Sequence, residues 1–517
     1  MERRNSKSLS DTNQRTNEPT YQRTDSSYQR TACGATGLVL EEPTLFEQSV
    51  PGRRGISLPA IDVPAFNPCE AFGDLVRDKA PELPELAESD VARHFTRLST
   101  RNFSKDLGFY PLGSCTMKYN PKIANKVAAM PGFADTHPFQ PLSSVQGNLR
   151  ICYELERWLC EITGMNAATL WPAAGSHGEL TGMLMIRAYH TARGNPRSKV
   201  LIPDSAHGTN PASAVTCHYD VVTVQSGPDG LLDPKAVAEA MDKEVAAIMI
   251  TNPNTLGVYE ENFKAVADIV HAKGGLVYCD GANLNALMGF VKPGEIGADA
   301  MHINLHKTFG TPHGGGGPGA GPVAVSRALE PYLPMPRIAK NGDNYTTISD
   351  KPESIGRINT FFGNFGVLLR AYVYIRELGA EGLVGVTKMA TLNANYVKAR
   401  LKDAYDLPYS RPSLHECVFS DKRQNAYGVK TLDIAKRLMD YGCHPPTIYF
   451  PLIVHGSIMI EPTETECKEL LDEFCDAMLT IASECEKTPE LVKNAPSRPF
   501  RRRLDEAKAA RDAVLKE

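Results

Sequence analysis

Several features are missing from this chain of 517 residues. No apolar stretch reaches the ~18 residues that a membrane-spanning helix needs. The 12 cysteines form no Cys-x-x-Cys pair and no Cys/His ladder. That spacing argues against zinc and against the disulfide framework of a small secreted protein. No metal is expected, and the thiols read as the reduced cysteines of a cytoplasmic enzyme. Neither sign of charge dominates, since the net charge is -4. Nothing in that balance points to nucleic acid or to a membrane surface.

Residues 1 to 45 lack apolar periodicity. They are rich in Arg, Gln, Ser and Thr, and Tyr-Gln-Arg-Thr occurs at both Tyr21 and Tyr28. Such a segment reads as a disordered tail. It has no apolar core for a secretory signal. Glu2, Asp11, Glu18 and Asp25 are acids that a transit peptide avoids.

The remainder is ordinary in composition, with 42% hydrophobic and 22% charged residues. Its length suggests two or three domains. Residues 46 to 125 read as an arm of loops and short helices. Residues 142 to 163 carry Val145, Leu149, Cys152, Leu155, Leu159 and Ile162 on one stripe, which predicts an amphipathic helix. From 166 to 330 short apolar runs alternate with helical patterns, the signature of βαβ units and a parallel sheet. Strands are expected at 168–171, 199–202, 221–224, 246–251, 276–279, 300–305 and 322–325. A large domain over 126–380 therefore precedes a smaller α+β domain over 381–490. A long helical connection over 364–402 joins them, and residues 491–517 form a charged tail or surface helix.

The polar loops of the large domain follow its strands. In such sheets a site lies at the carboxyl ends of the strands. Lys307 stands at one of these ends, flanked by His306 and Thr308 and followed by a run of glycines and prolines. Desolvation there would free its amine lone pair, and such an amine can form a Schiff base with pyridoxal phosphate. Asp280 ends the strand before it and precedes Gly281 and Ala282. A carboxylate there could pair with the protonated pyridine nitrogen of that cofactor. Ala174, Gly175 and Ser176 open a helix whose free N–H groups suit a phosphate. No Gly-Lys-Ser/Thr follows, so this is not a Walker loop. His207 could stack on the ring face, Asn304 could reach the phosphate, and His306 could touch phosphate or substrate. The order phosphate loop, ring-stacking His, Asp, Lys is that of fold-type I pyridoxal phosphate enzymes.

Longer stretches sharpen this. Gly113-Ser-Cys-Thr-Met-Lys118, Ser205-Ala-His-Gly-Thr-Asn-Pro-Ala-Ser213, Asp280-Gly-Ala-Asn-Leu-Asn-Ala286, Asn304-Leu-His-Lys-Thr-Phe309 and Pro312-His-Gly-Gly-Gly-Gly-Pro-Gly319 resemble the P-protein family of the glycine cleavage system, glycine dehydrogenase (decarboxylating). His444-Pro-Pro-Thr447 and Met459-Ile-Glu-Pro-Thr-Glu-Thr-Glu466 are similar to its small domain. The resemblance spans roughly residues 50 to 490. It implies that Lys307, His207 and Asp280 serve catalysis. It implies that Ala174, Gly175, Ser176, Ala282, Asn304 and His306 help hold the cofactor, and that Ser114, Thr116, Lys118 and Thr308 lie near substrate. It further implies that glycine is decarboxylated and its aminomethyl group passed to the lipoyl group of H-protein. The chain resembles only the lysine-bearing half of the long form, which implies a homologous first subunit as partner. On the site residues alone, two other readings stay open: another fold-type I amino-acid decarboxylase, and an idle scaffold subunit.

Overall fold

The computed structural model describes residues 42–79, 81–314 and 319–514. The tail read as disordered therefore lies almost wholly outside the described residues, as does most of the glycine run after His313. Among the described residues, no helix is long and apolar enough to cross a membrane.

The sheet of the large domain follows from its apolar runs. Strands β1 to β7 are Ala167–Thr169, Lys199–Pro203, Asp220–Val224, Val245–Thr251, Leu276–Gly281, Ala300–Ile303 and Val323–Val325. Every residue of β4 and β5 is buried. Continuous burial of this kind arises when helices cover both faces of a parallel sheet. The order across the sheet is β1-β7-β6-β5-β4-β2-β3. The pairs β2/β3, β2/β4, β4/β5 and β5/β6 are parallel, while β7 runs antiparallel to both its neighbours. The carboxyl ends of β2, β4, β5 and β6 thus share one edge.

The amphipathic stripe forms the helix Gln146–Thr163, burying Leu149, Cys152, Leu155 and Leu159. It ends on Gly164 in the left-handed region, where a missing Cβ removes the steric penalty. The helix Gly175–Ala192 presses onto the sheet through Gly178 and Gly182. A Cβ on Gly178 would stand 2.8 Å from His302 Cβ, and one on Gly182 would stand 2.3 Å from the Tyr278 ring.

Two elements differ from expectation. The strand read as 300–305 ends at Ile303, and Leu305–Thr308 forms one helical turn that carries Lys307. The long connection is helical over Phe365–Leu401 but broken at Gly379, whose φ of 62° no helix accommodates. A hairpin of β8 (Arg337–Asn341) and β9 (Asn344–Ile348) was not anticipated. Asn341 pairs with Asn344, so the two-residue turn is Gly342-Asp343, and a glycine with positive φ at its first position is a known hairpin signal.

The small domain has a three-stranded sheet of β10 (Cys417–Ser420), β11 (Thr447–Ile448) and β12 (Ser457–Ile460), in the order β10-β12-β11. The helices Thr431–Asp440 and Lys468–Lys487 contribute Leu438, Phe474 and Ile481 to its core, beside Phe419 and Ile460. The arm reaches this domain where Leu112 pairs with Ile460. Further towards the N-terminus it leaves Ile56, Leu58, Ile61, Val63, Phe66 and Leu75 exposed.

Candidate active site

Strand register places the central carboxylate. Asp280 lies level with Thr251 of β4 and His302 of β6. It is buried. Its Oδ1 accepts the Ala282 N–H at 3.0 Å, and its Oδ2 accepts from Asn210 Nδ2 at 3.3 Å. His302 Nε2 stands 3.4 Å from Oδ1. Burial works against the charge, but His302, the Ala282 N–H, Lys307 and Asn210 outweigh it and hold the carboxyl below its usual range. Asp280 is therefore an anion at neutral pH.

Behind it runs a chain of neutral groups. Burial raises the Tyr278 hydroxyl well above its ordinary value, so it keeps its proton. Burial also lowers His302, against the pull of Asp280. Tyr278 Oη and His302 Nδ1 are 2.8 Å apart. A protonated phenol donates there, which leaves the His302 hydrogen on Nε2, facing Asp280.

Lys307 is half-buried on the turn after β6. Among the described residues no carboxylate pairs with its ammonium. Its charge acts on Glu179, His207, Asp280, His302, His306, His313, Cys115 and His415. These groups come from six different segments, and Lys307 stands among them.

His207 follows β2 and is exposed towards the site, with Phe450 at its ring edge 5.6 Å away. Crowding and the Lys307 charge hold its imidazole below the ordinary range, against Asp280. Gly175 begins a helix whose N-terminal residue Ala174 offers no side-chain cap. A Cβ on Gly175 would stand 2.4 Å from Asn304 Oδ1, so Asn304 lies directly against this helix start. Ser176 is exposed beside it. His306 and His313 meet edge to face at 5.1 Å. Burial, His313 and Lys307 push His306 down to about 3. Burial likewise brings His313 down to about 4.

The loop assigned to substrate is held from below. Ser114 and Thr116 both have positive φ, 63° and 51°. A β-branched residue in that region is strained and needs support from its surroundings. Glu416 Oε2 accepts the Ser114 N–H at 2.8 Å, and Glu461 accepts both the N–H and the hydroxyl of Thr116, at 2.8 and 2.5 Å. Lys118 Nζ is fully buried between Glu464 Oε1 at 2.8 Å and the Thr308 carbonyl at 3.0 Å. The polar side-chain atoms of Thr116 and Lys118, both expected near substrate, are engaged in clamping the loop. Thr308 adjoins Lys307, and among the described residues its hydroxyl has no partner.

The site also contains groups that sequence reasoning missed. Glu179, Tyr278 and His302 were not singled out in the sequence. Each is a polar residue inside an apolar segment, and that isolation was the available signal. His415, Glu416 and Glu461, all buried, were missed because they lie in the small domain.

Comparison with known proteins agrees with this architecture. The glycine cleavage system P-protein family model matches residues 73–344, and the glycine dehydrogenase C-terminal domain model matches residues 386–501. A Listeria innocua protein described as probable glycine dehydrogenase (decarboxylating) subunit 2 is 56% identical over 481 residues, spanning 92% of this chain and 99% of its own. Its counterpart in Bacillus licheniformis is 55% identical over 478 residues, with the same coverage of both chains. Among solved structures, a glycine cleavage P-protein in inhibitor-bound form superimposes with a TM-score of 0.68 at 21% identity, covering 80% of this chain and 94% of that one. A cysteine desulfurase from Escherichia coli gives 0.57 at 13% identity, covering 74% and 96%. These likenesses establish the fold-type I architecture expected from the sequence. Identity above one half across nearly the whole of both chains establishes more than the fold: this chain belongs to the glycine cleavage system P-protein family.

Proposed function

We propose that this chain is the lysine-bearing subunit of a glycine decarboxylase, working with pyridoxal phosphate and passing an aminomethyl group to the lipoyl arm of an H-protein. The observation that carries the proposal is the pocket floor. Asp280 is a buried anion whose direct contacts among the described residues are neutral groups, so no cation is paired with it at contact distance. Isolated buried charge is costly, and a cationic ring nitrogen would supply what is missing. Among the described residues, Asn304 Oδ1 and Thr308 Oγ1 are buried without partners, and the uncapped start of the helix at Gly175 lies against Asn304. The Thr308 hydroxyl and the free N–H groups of that helix start can donate to an anionic phosphate.

When bound, the cofactor supplies a sink for the electron pair left behind as glycine loses its carboxylate. Asp280 keeps a proton on the ring nitrogen by its charge. The Tyr278–His302 chain keeps Asp280 fixed and ionised. His207, placed after β2, would cover one face of the ring and keep water from it. Lys307, half-buried among these groups, would hold the cofactor through its side-chain amine. The clamped loop Gly113–Lys118 closes the site on the side of the small domain. The name of its relatives, subunit 2, supports a homologous first subunit as partner, with two copies of each in the assembly.

The test is to load the chain with cofactor, reduce with borohydride and map the labelled peptide. The label is expected on the peptide holding Lys307 and absent from Lys307→Ala. Labelled CO2 should exchange into glycine when the first subunit and H-protein are present. Label on Lys118 instead of Lys307 would overturn the assignment.

A further inference from the structure

Glu179 is a second buried carboxyl in the pocket floor, and the scheme above makes no use of it. It is 3% exposed. Ligating-type atoms of Glu179, Asp280 and His302 all lie within 4.8 Å of one another. Thr209 Oγ1 lies 2.8 Å from Glu179 Oε1 and also 2.8 Å from His207 Nδ1. A threonine hydroxyl has one hydrogen. His207 Nδ1 already accepts the Thr209 backbone N–H at 3.2 Å, so this nitrogen carries no hydrogen of its own. Both hydroxyl contacts become hydrogen bonds only if Thr209 points its hydrogen at His207 and Glu179 contributes the other. Ser213 Oγ, 3.2 Å from Oε2, satisfies the second carboxyl oxygen.

We propose that Glu179 is a positioning residue that carries a proton at neutral pH and, through Thr209, holds the ring of His207 with its hydrogen on Nε2. The inference rests on the cofactor reading of the site, because His207 acts through the ring it covers.

The surroundings agree. Tyr278 and Asp280 face Glu179 from β5, His302 faces it from β6, Lys307 from the turn after β6, and His207 from the loop after β2. Of these, Asp280 is the anion and Lys307 the cation. Burial and the Asp280 charge push Glu179 up to about 8, with Thr209, Ser213 and Lys307 pulling the other way. Two carboxyls so close and so buried do not both ionise. For an acid raised in the fold, the folded state holds the extra proton between the unfolded pKa and the folded one. Stability therefore falls as pH rises through the window from 4.5 to about 8, and is level outside it.

The test uses the full chain without cofactor first. Melting temperature is followed from about pH 5 to about pH 9 for wild type and Glu179→Gln. Wild type should lose ground to the variant as pH rises towards 8, and the gap should then stay constant. An infrared difference between wild type and Glu179→Gln should show the carbonyl stretch of a protonated carboxylic acid at neutral pH, fading at alkaline pH. Parallel melting curves with no such band would overturn the proposal. Should Glu179→Gln not fold, Asp280→Asn decides: removing the facing charge should move the fading of the band to lower pH, and an unmoved midpoint overturns it. With cofactor bound, Thr209→Val should shift the pH midpoint of the visible absorbance and Thr209→Ser should not. Equal behaviour of the two overturns the link through Thr209. Absence of visible absorbance in wild type would instead count against the cofactor reading and leave the results on the unloaded chain standing.

Discussion

Asp280 is the residue at which charge and position meet. Replacing it with Ala removes a charge-assisted contact worth about 1.5–3 kcal/mol. Decarboxylation should fall at least about tenfold, measured as glycine-dependent CO2 exchange at saturating cofactor. An unchanged rate would make Asp280 structural only. His207 makes a different contribution. If it covers the ring by contact, His207→Phe should keep more activity than His207→Ala, and equal losses would point to hydrogen bonding instead. Lys307, Asp280 and His207 were legible in the sequence because each follows an apolar strand, where a polar residue has no packing reason to be. Glu179, Tyr278 and His302 were not, because a lone polar residue within a helix or strand reads as filling or solvated. Only the register that sets His302 beside Asp280 reveals their connection.

At the scale of elements, the loop Gly113–Lys118 depends on contacts that its own sequence does not contain. Glu416, Glu461 and Glu464 come from the small domain, about three hundred residues away. Lys118→Met would leave Glu464 buried without its cation. Breaking a buried pair from one side costs about 3–5 kcal/mol. The midpoint of urea unfolding should drop accordingly, and adding Glu464→Gln should recover part of the loss. Additive losses would show that the two side chains do not interact. Alternating strands and helices, the amphipathic helix and the small α+β domain were all legible, because burial dictates apolar period directly. The clamp on Thr116 and Lys118 was not legible, because a polar loop viewed alone shows none of the long-range carboxylates that engage it. The break at Gly379 was missed because helical periodicity continues on both sides of it.

The whole molecule leaves one feature that its own packing does not explain. Along the arm, Ile56, Leu58, Ile61 and Leu75 are 75%, 83%, 84% and 87% exposed. Apolar side chains concentrated on one extended segment mark a surface made for another protein. The relatives described as subunit 2 imply a partner subunit, and the proposed occupant of this surface is the first subunit. Ile61→Asp and Leu75→Asp change exposed side chains, so stability should stay within about 0.5 kcal/mol of wild type, as read by melting temperature. Assembly should nevertheless fail when the first subunit is added, as read by sedimentation. Exchange of labelled CO2 into glycine should be weak for this chain with H-protein alone and restored by the first subunit. In the double variant that restoration should be lost. The competing arrangement is a self-sufficient homodimer, in which the arm wraps a second copy of this chain. Full exchange with the first subunit rigorously absent, together with dimerisation that the two aspartates abolish, would decide for it.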